Sequence, residues 1–72
     1  MGDHEWRVVI DDGLRVRSRP STKGVVKAKL DRGTVVRFVE KRGRWTHIEF
    51  DDESIDGLAE GWVFNKHLAG VR

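Results

Sequence analysis

The pattern that most restricts the fold of this chain is an alternation of period two. In "LRVRS", Leu14 and Val16 alternate with Arg15 and Arg17, and in "VVKAKL" Val26, Ala28 and Leu30 alternate with Lys27 and Lys29. Successive side chains of a strand point to opposite faces, so both stretches read as strands with one apolar and one wet face. "TVVRFVE" and "RWTHIEF" are rich in β-branched and aromatic residues, and the "EKRGR" between them supplies Gly43 for a tight hairpin turn. Gly33, after Asp31 and Arg32, marks another turn. A third hairpin is expected to carry the long acidic loop "DDESIDGLAE" and to end at "GWVF", a short strand leading into "NKHL", which reads as a single helical turn. No window of eleven or more residues holds a capped helical stripe, so no long helix is predicted.

Five or six short strands at this spacing, punctuated by Gly or Pro, imply an all-β fold: a small antiparallel barrel or sandwich. The inward set is predicted to be Val9, Leu14, Val16, Val26, Ala28, Leu30, Val36, Phe38, Ile48, Phe50, Val63 and Leu68. With 72 residues and no cysteine, no disulfide or thiolate metal site supplements that core, and stability is expected to be modest. Hydrophobic residues at 38% and charged residues at 36% are too balanced for a disordered charged tail. No apolar run approaches the ~20 residues of a membrane helix, and "MGDHEWR" lacks the n- and h-regions of a secretory signal. No membrane partner is expected. The expected location is the cytoplasm for a free-standing chain, and the cell envelope or exterior for a domain excised from a longer exported protein.

The net charge of +2 conceals an asymmetry. From Gly13 to Arg44, eleven Lys and Arg stand against Asp31 and Glu40, whereas the segments on either side are acidic. Either these segments pair across neighbouring strands and neutralise one another, or the basic residues form a face for an anionic partner.

The order of motifs resembles the bacterial SH3 (SH3b) domain family. "GLRVRSRPS" is similar to its Leu-x-Val-Arg-Ser-x-Pro-Ser, "LDRGTVVRFVE" to its Leu-x-x-Gly-Thr-x-Val, and "GWVFNKHL" to its Gly-Trp-Val-x-x-x-x-Leu ending, with Trp45 following a Gly-containing turn. The resemblance runs from about Val8 to Leu68. It implies an SH3-like barrel over 8–68, an N-terminal extension at 1–7 and a C-terminal tail at 69–72. Arg19 stands where the family prefers Gly, His67 where it has an aromatic, and Arg44 where it has Gly before the hairpin Trp. Tyrosine is absent, and the acidic 51–60 segment is longer than the family's usual hairpin.

Trp45 and Ile48 are three apart on one strand, so a buried Ile48 places Trp45 on the outer face. SH3 domains of eukaryotes, which the barrel resembles in strand order, use a Trp at the matching hairpin position to hold peptides. The resemblance therefore implies a shallow aromatic cleft of Trp45, Phe64 and His67, rimmed by Arg15, Arg17 and Arg19. Guanidinium groups beside aromatic rings suit an extended ligand that bears carboxylates. The competing reading is that Trp45 merely covers the flank, with arginine stems lying over it. Trp62 belongs to the "GWV" signature and reads as a packing residue; Trp6 reads as a plug for the open end of the barrel.

His4, His47 and His67 share no ligand spacing, so no metal or cofactor is expected, and His47 reads as an exposed strand residue. "DDESIDG" opens like a calcium loop, but Val63 stands where the bidentate Glu belongs. Ser18, Ser21 and Ser54 have no histidine placed by a motif, and "RSRPSTKG" lacks the glycines of a phosphate loop, so catalysis is not expected. These readings point to a binding module for a peptide or glycopeptide, with cell-wall peptidoglycan or a protein as partner. The alternatives are a nucleic-acid-binding barrel using the basic 13–44 segment and a structural or interaction domain.

Overall fold

A computed structural model describes residues 5–70. Seven strands make up the fold: β1 (Trp6–Val9), β2 (Leu14–Arg17), β3 (Val26–Leu30), β4 (Val35–Arg42), β5 (Trp45–Asp52), β6 (Gly57–Phe64) and β7 (Leu68–Gly70), with a 3-10 turn at Asn65–His67 before β7. They form one antiparallel sheet in the order β3-β2-β6-β5-β4-β1-β7. Six of the strands contribute to a single buried cluster of Val9, Leu14, Val16, Leu30, Val36, Ile48, Phe50 and Val63. A sheet can gather side chains from so many strands into one cluster only by curling round on itself. The sheet takes in Trp6 and Arg7 in β1, and Ala69 and Gly70 in the neighbouring β7.

Alternation predicts most of this core correctly, and two irregularities account for the departures. The β2–β3 register shifts between Val16 and Arg17, so that Ala28 faces Val16 but Val26 faces Arg17. Such a bulge turns the edge strand away, and Val26 is 41% exposed rather than inward. Ala28 and Leu68 pack only at the margin of the cluster. The second shift lies between Phe38 and Glu40. There Phe38 is half-buried, with the Arg7 guanidinium 4.7 Å from the centre of its ring. Arg7 shares a face of β1 with buried Val9, so it closes this end of the core with its stem and its charge. Trp6, predicted as the plug, points to the opposite face and is 43% exposed.

The acidic segment is not a long loop. β5 continues to Asp52 and β6 begins at Gly57, with Asp51 opposite Leu58 and Phe50 opposite Ala59. Only Glu53–Asp56 remain as the turn, closed by Ile55 N–H to Asp52 O at 3.2 Å and Asp56 N–H to Glu53 O at 3.3 Å. The Asp52 carboxylate accepts from the Ser54 hydroxyl at 2.6 Å and the Ser54 N–H at 2.9 Å. These two bonds, the hydroxyl's foremost, hold its pKa below the ordinary carboxylate value.

β2 crosses β6 very closely. A Cβ on Gly61 would lie 2.3 Å from Val16 Cγ1 and 2.9 Å from Arg17 O. Only a residue without a side chain fits there, and the approach brings the arginines of β2 beside the end of β6.

Candidate functional site

Alternation along β5 and β6 decides which aromatic rings reach the surface. Thr46, Ile48 and Phe50 face inward on β5, so Trp45 and His47 face outward; on β6 Val63 is inward, so Trp62 and Phe64 are outward. The register sets Trp45 directly opposite Phe64 and His47 opposite Trp62. Both pairs stack: Trp45 and Phe64 have ring centres 4.2 Å apart at 24°, and His47 and Trp62 are 4.8 Å apart at 14°. Stacked cross-strand pairs of this kind are worth about 0.5–1.5 kcal/mol beyond the area they bury.

The two pairs have different fates. Arg42 lies 5.1 Å over the Trp62 ring, and Glu60 Oε1 is 2.7 Å from His47 Nε2. Trp62 is thereby only 9% exposed, packed on the outer face rather than in the main cluster. His47, predicted to be exposed, is largely covered by the same stack, with 19% of its side chain accessible. The Trp45–Phe64 pair instead forms the floor of a cleft of about 420 Å³. His67, from the 3-10 turn, stands edge-on to Phe64 with centres 6.3 Å apart at 63°. The facing wall is β2, with Leu14, Arg15 and Arg17 lining the space.

Five of the six residues proposed from the sequence therefore meet around one cleft: Trp45, Phe64, His67, Arg15 and Arg17. Arg17 is further oriented by donating to Gly24 O at 3.0 Å. Arg19 is not among the lining residues. Beyond the bulge in β2 the chain leaves the strand, with Ser18 N–H bonded to Val25 O at 2.8 Å, and the Arg19 stem lies along Gly24, where a Cβ would come within 3.0 Å of its Cγ.

The structure adds residues that the sequence reading left out. Asp11 and Asp12 line the same cleft, and the Asp11 carboxylate contacts His67 Nδ1. That contact is set up by the backbone, because Ile10 N–H donates to His67 O at 3.0 Å. Asn65 fixes the turn that presents Phe64 and His67. Its N–H donates to Arg44 O at 2.9 Å, its side-chain amide donates to Gly43 O at 2.8 Å, and its side-chain oxygen accepts from the Thr46 hydroxyl. Thr46 is 4% exposed on the inward face of β5, and a buried hydroxyl needs such a partner. A threonine in the inward register "THIEF" was the available signal; nothing in the pattern marked Asn65 as its acceptor.

Part of the charge asymmetry resolves into pairs, through three of the eleven Lys and Arg of the basic segment. Arg32 meets Asp12 at 3.6 Å, Arg37 meets Glu5 and Glu49 at 3.4 Å each, and Arg42 meets Glu40 at 3.0 Å, while the Lys27 ammonium donates to Glu60 O at 2.6 Å. Most of these partners come from the acidic flanking segments. Among the described residues Arg15 has no such partner, and it faces the cleft.

A family model described as bacterial SH3 domain matches residues 12–69, whereas no curated protein and no solved structure matches the chain. The matched span begins at Asp12, just before β2, and ends within β7, so it contains the aromatic floor, the arginine wall and the turn that Asn65 holds. A match over 58 of 72 residues, on a seven-stranded antiparallel sheet, places this chain in the bacterial SH3 domain family.

Proposed function

We propose that the chain is a non-catalytic binding module whose cleft holds an extended peptide or glycopeptide. Bacterial SH3 domains are generally binding modules, which sets the class of function. The observation that carries the ligand assignment is the stacked Trp45–Phe64 floor lying beside Arg15 and Arg17 in one open cleft. Rings supply apolar area at little cost in side-chain freedom, and guanidinium groups orient carboxylates. Peptidoglycan stem peptides and extended segments of protein partners share that chemistry. Joined to an exported protein the domain serves in wall attachment; within a cytoplasmic protein it serves in protein recruitment.

Two assays run side by side test this reading. Sedimentation with insoluble peptidoglycan, or amide NMR shifts with soluble stem peptides, is expected to report binding that involves the Trp45 indole. DNA titrated at several salt concentrations is expected to show no binding and hence no salt slope, because Arg32 and Arg37 are paired with carboxylates of the acidic flanking segments and the cleft that holds Arg15 and Arg17 is also lined by Asp11 and Asp12. Saturable DNA binding with a steep negative salt slope, and no response to peptide, overturns the peptide assignment.

A further inference from the structure

We infer that the cleft selects a ligand charged at both ends: a cationic group, such as a peptide amino terminus, near Asp11 and Asp12, and a carboxylate near Arg15 and Arg17. This rests on the reading of the cleft as a peptide site. It departs from a purely anion-seeking surface because the same cavity that contains the arginines is also lined by two carboxylates. The two kinds of charge come from different parts of the chain, a loop and a strand. Asp11 and Asp12 precede the turn at Gly13, whose φ of +66° redirects the chain into β2, and Arg15 and Arg17 follow on that strand. At ~3.3 Å per residue, three residues from Asp12 to Arg15 span at most ~10 Å, and Arg17 lies ~6.6 Å further along. An extended peptide of three to five residues is long enough to reach both kinds of charge within that limit, with its side chains over the Trp45–Phe64 floor of the same cleft.

At the acidic end Asp11 is fixed and Asp12 remains accessible. Asp11 is held by His67, and Asp12 lies 3.6 Å from Arg32 with 83% of its side chain exposed. An exposed pair at that distance is weak, and an incoming ammonium group exchanges for it at little cost. A polyanion meets arginines at one end and like charge at the other, so the arrangement disfavours nucleic acid and uniformly acidic segments. Exposed charge pairs contribute modestly to affinity and more to orientation and partner choice. Each end is therefore expected to alter the dissociation constant by about two- to fivefold at low salt, the equivalent of ~0.4–1 kcal/mol.

Amide NMR titrations at low salt with tetra-alanine test this, using four forms of the peptide: both termini free, N-acetylated, C-amidated and doubly blocked. The free form is expected to bind tightest, and each block is expected to weaken binding two- to fivefold. Asp12→Asn is expected to weaken the free peptide but leave the N-acetylated form unchanged, and Arg15→Gln to weaken the free peptide but leave the C-amidated form unchanged. Equal binding of all four forms overturns the two-charge assignment and leaves the peptide reading standing. Binding of none of them overturns both.

Discussion

Replacing Gly61 by alanine tests how the cleft is built, because the outcome runs against the usual sign of the substitution. Glycine to alanine at a compatible backbone position stabilises by about 0.4–1 kcal/mol, since it restricts the unfolded chain. At Gly61 the new Cβ would sit 2.3 Å from Val16 Cγ1 and 2.9 Å from Arg17 O. Carbon contacts are at their best near ~3.5–4.0 Å, so the overlap exceeds an ångström and one of the obstructing groups is backbone. Overpacking of this kind costs about 1–3 kcal/mol. In a domain this small that corresponds to a fall in Tm on the order of 5–20 °C. Because Arg17 with Trp62 is the sole register pair found between β2 and β6, the strain also moves the arginine wall away from Phe64. Thermal and urea unfolding followed by tryptophan fluorescence measure the effect. Gly70→Ala is the control, since its Cβ would meet nothing within 4 Å, and it is expected to be neutral or slightly stabilising. A Gly61→Ala variant as stable as the parent refutes the close crossing of β2 over β6.

Two further outcomes follow from the hydrogen bonds around the site. Thr46→Val keeps the shape of a side chain that is 4% exposed but removes the hydroxyl that donates to Asn65, with an expected cost of about 1–2 kcal/mol in urea unfolding and larger NMR shifts at Phe64 and His67 than in the core. The Asp52 carboxyl is held below its ordinary pKa chiefly by the Ser54 hydroxyl, so its stabilising contribution is present above the ordinary value and is lost as pH falls below that value towards the lowered one. In Ser54→Ala, a carbon-detected titration should find the Asp52 pKa moved part-way up, because the Ser54 N–H bond remains; an unmoved value contradicts the assignment.

The core was legible because its signal is periodic and strong. Leu14, Val16, Ile48 and Val63 are buried where alternation puts them. Alternation fails at bulges, which leave no composition mark: the shift beyond Val16 turns Val26 outward and carries Arg19 away from the cleft, and the shift beyond Phe38 leaves that ring at the rim under Arg7. The 51–60 segment departs from the expected loop for a different reason. Its acidic residues resemble a solvated loop, yet Leu58, Glu60, Trp62 and Phe64 continue one alternating face from the hairpin tip into the strand, and cross-strand pairing with β5 outweighs local composition. In the site, the aromatic floor and two arginines followed from strand parity together with the family resemblance. Asp11, Asp12 and Asn65 did not, because their roles depend on a loop and a 3-10 turn meeting across 56 residues of sequence, as in the Asp11–His67 contact.

The most direct test is the affinity of Trp45→Ala for the stem peptide, measured by NMR titration with Tm recorded on the same sample. Trp45 is half-buried on the outer face against Phe64, so its loss is expected to abolish measurable binding while lowering stability by no more than about 1.5 kcal/mol. Peptide binding that survives the substitution, or a fall of the ~3–5 kcal/mol typical of a truncated core aromatic, would show that Trp45 covers the flank of the sheet and that the cleft is not the binding site.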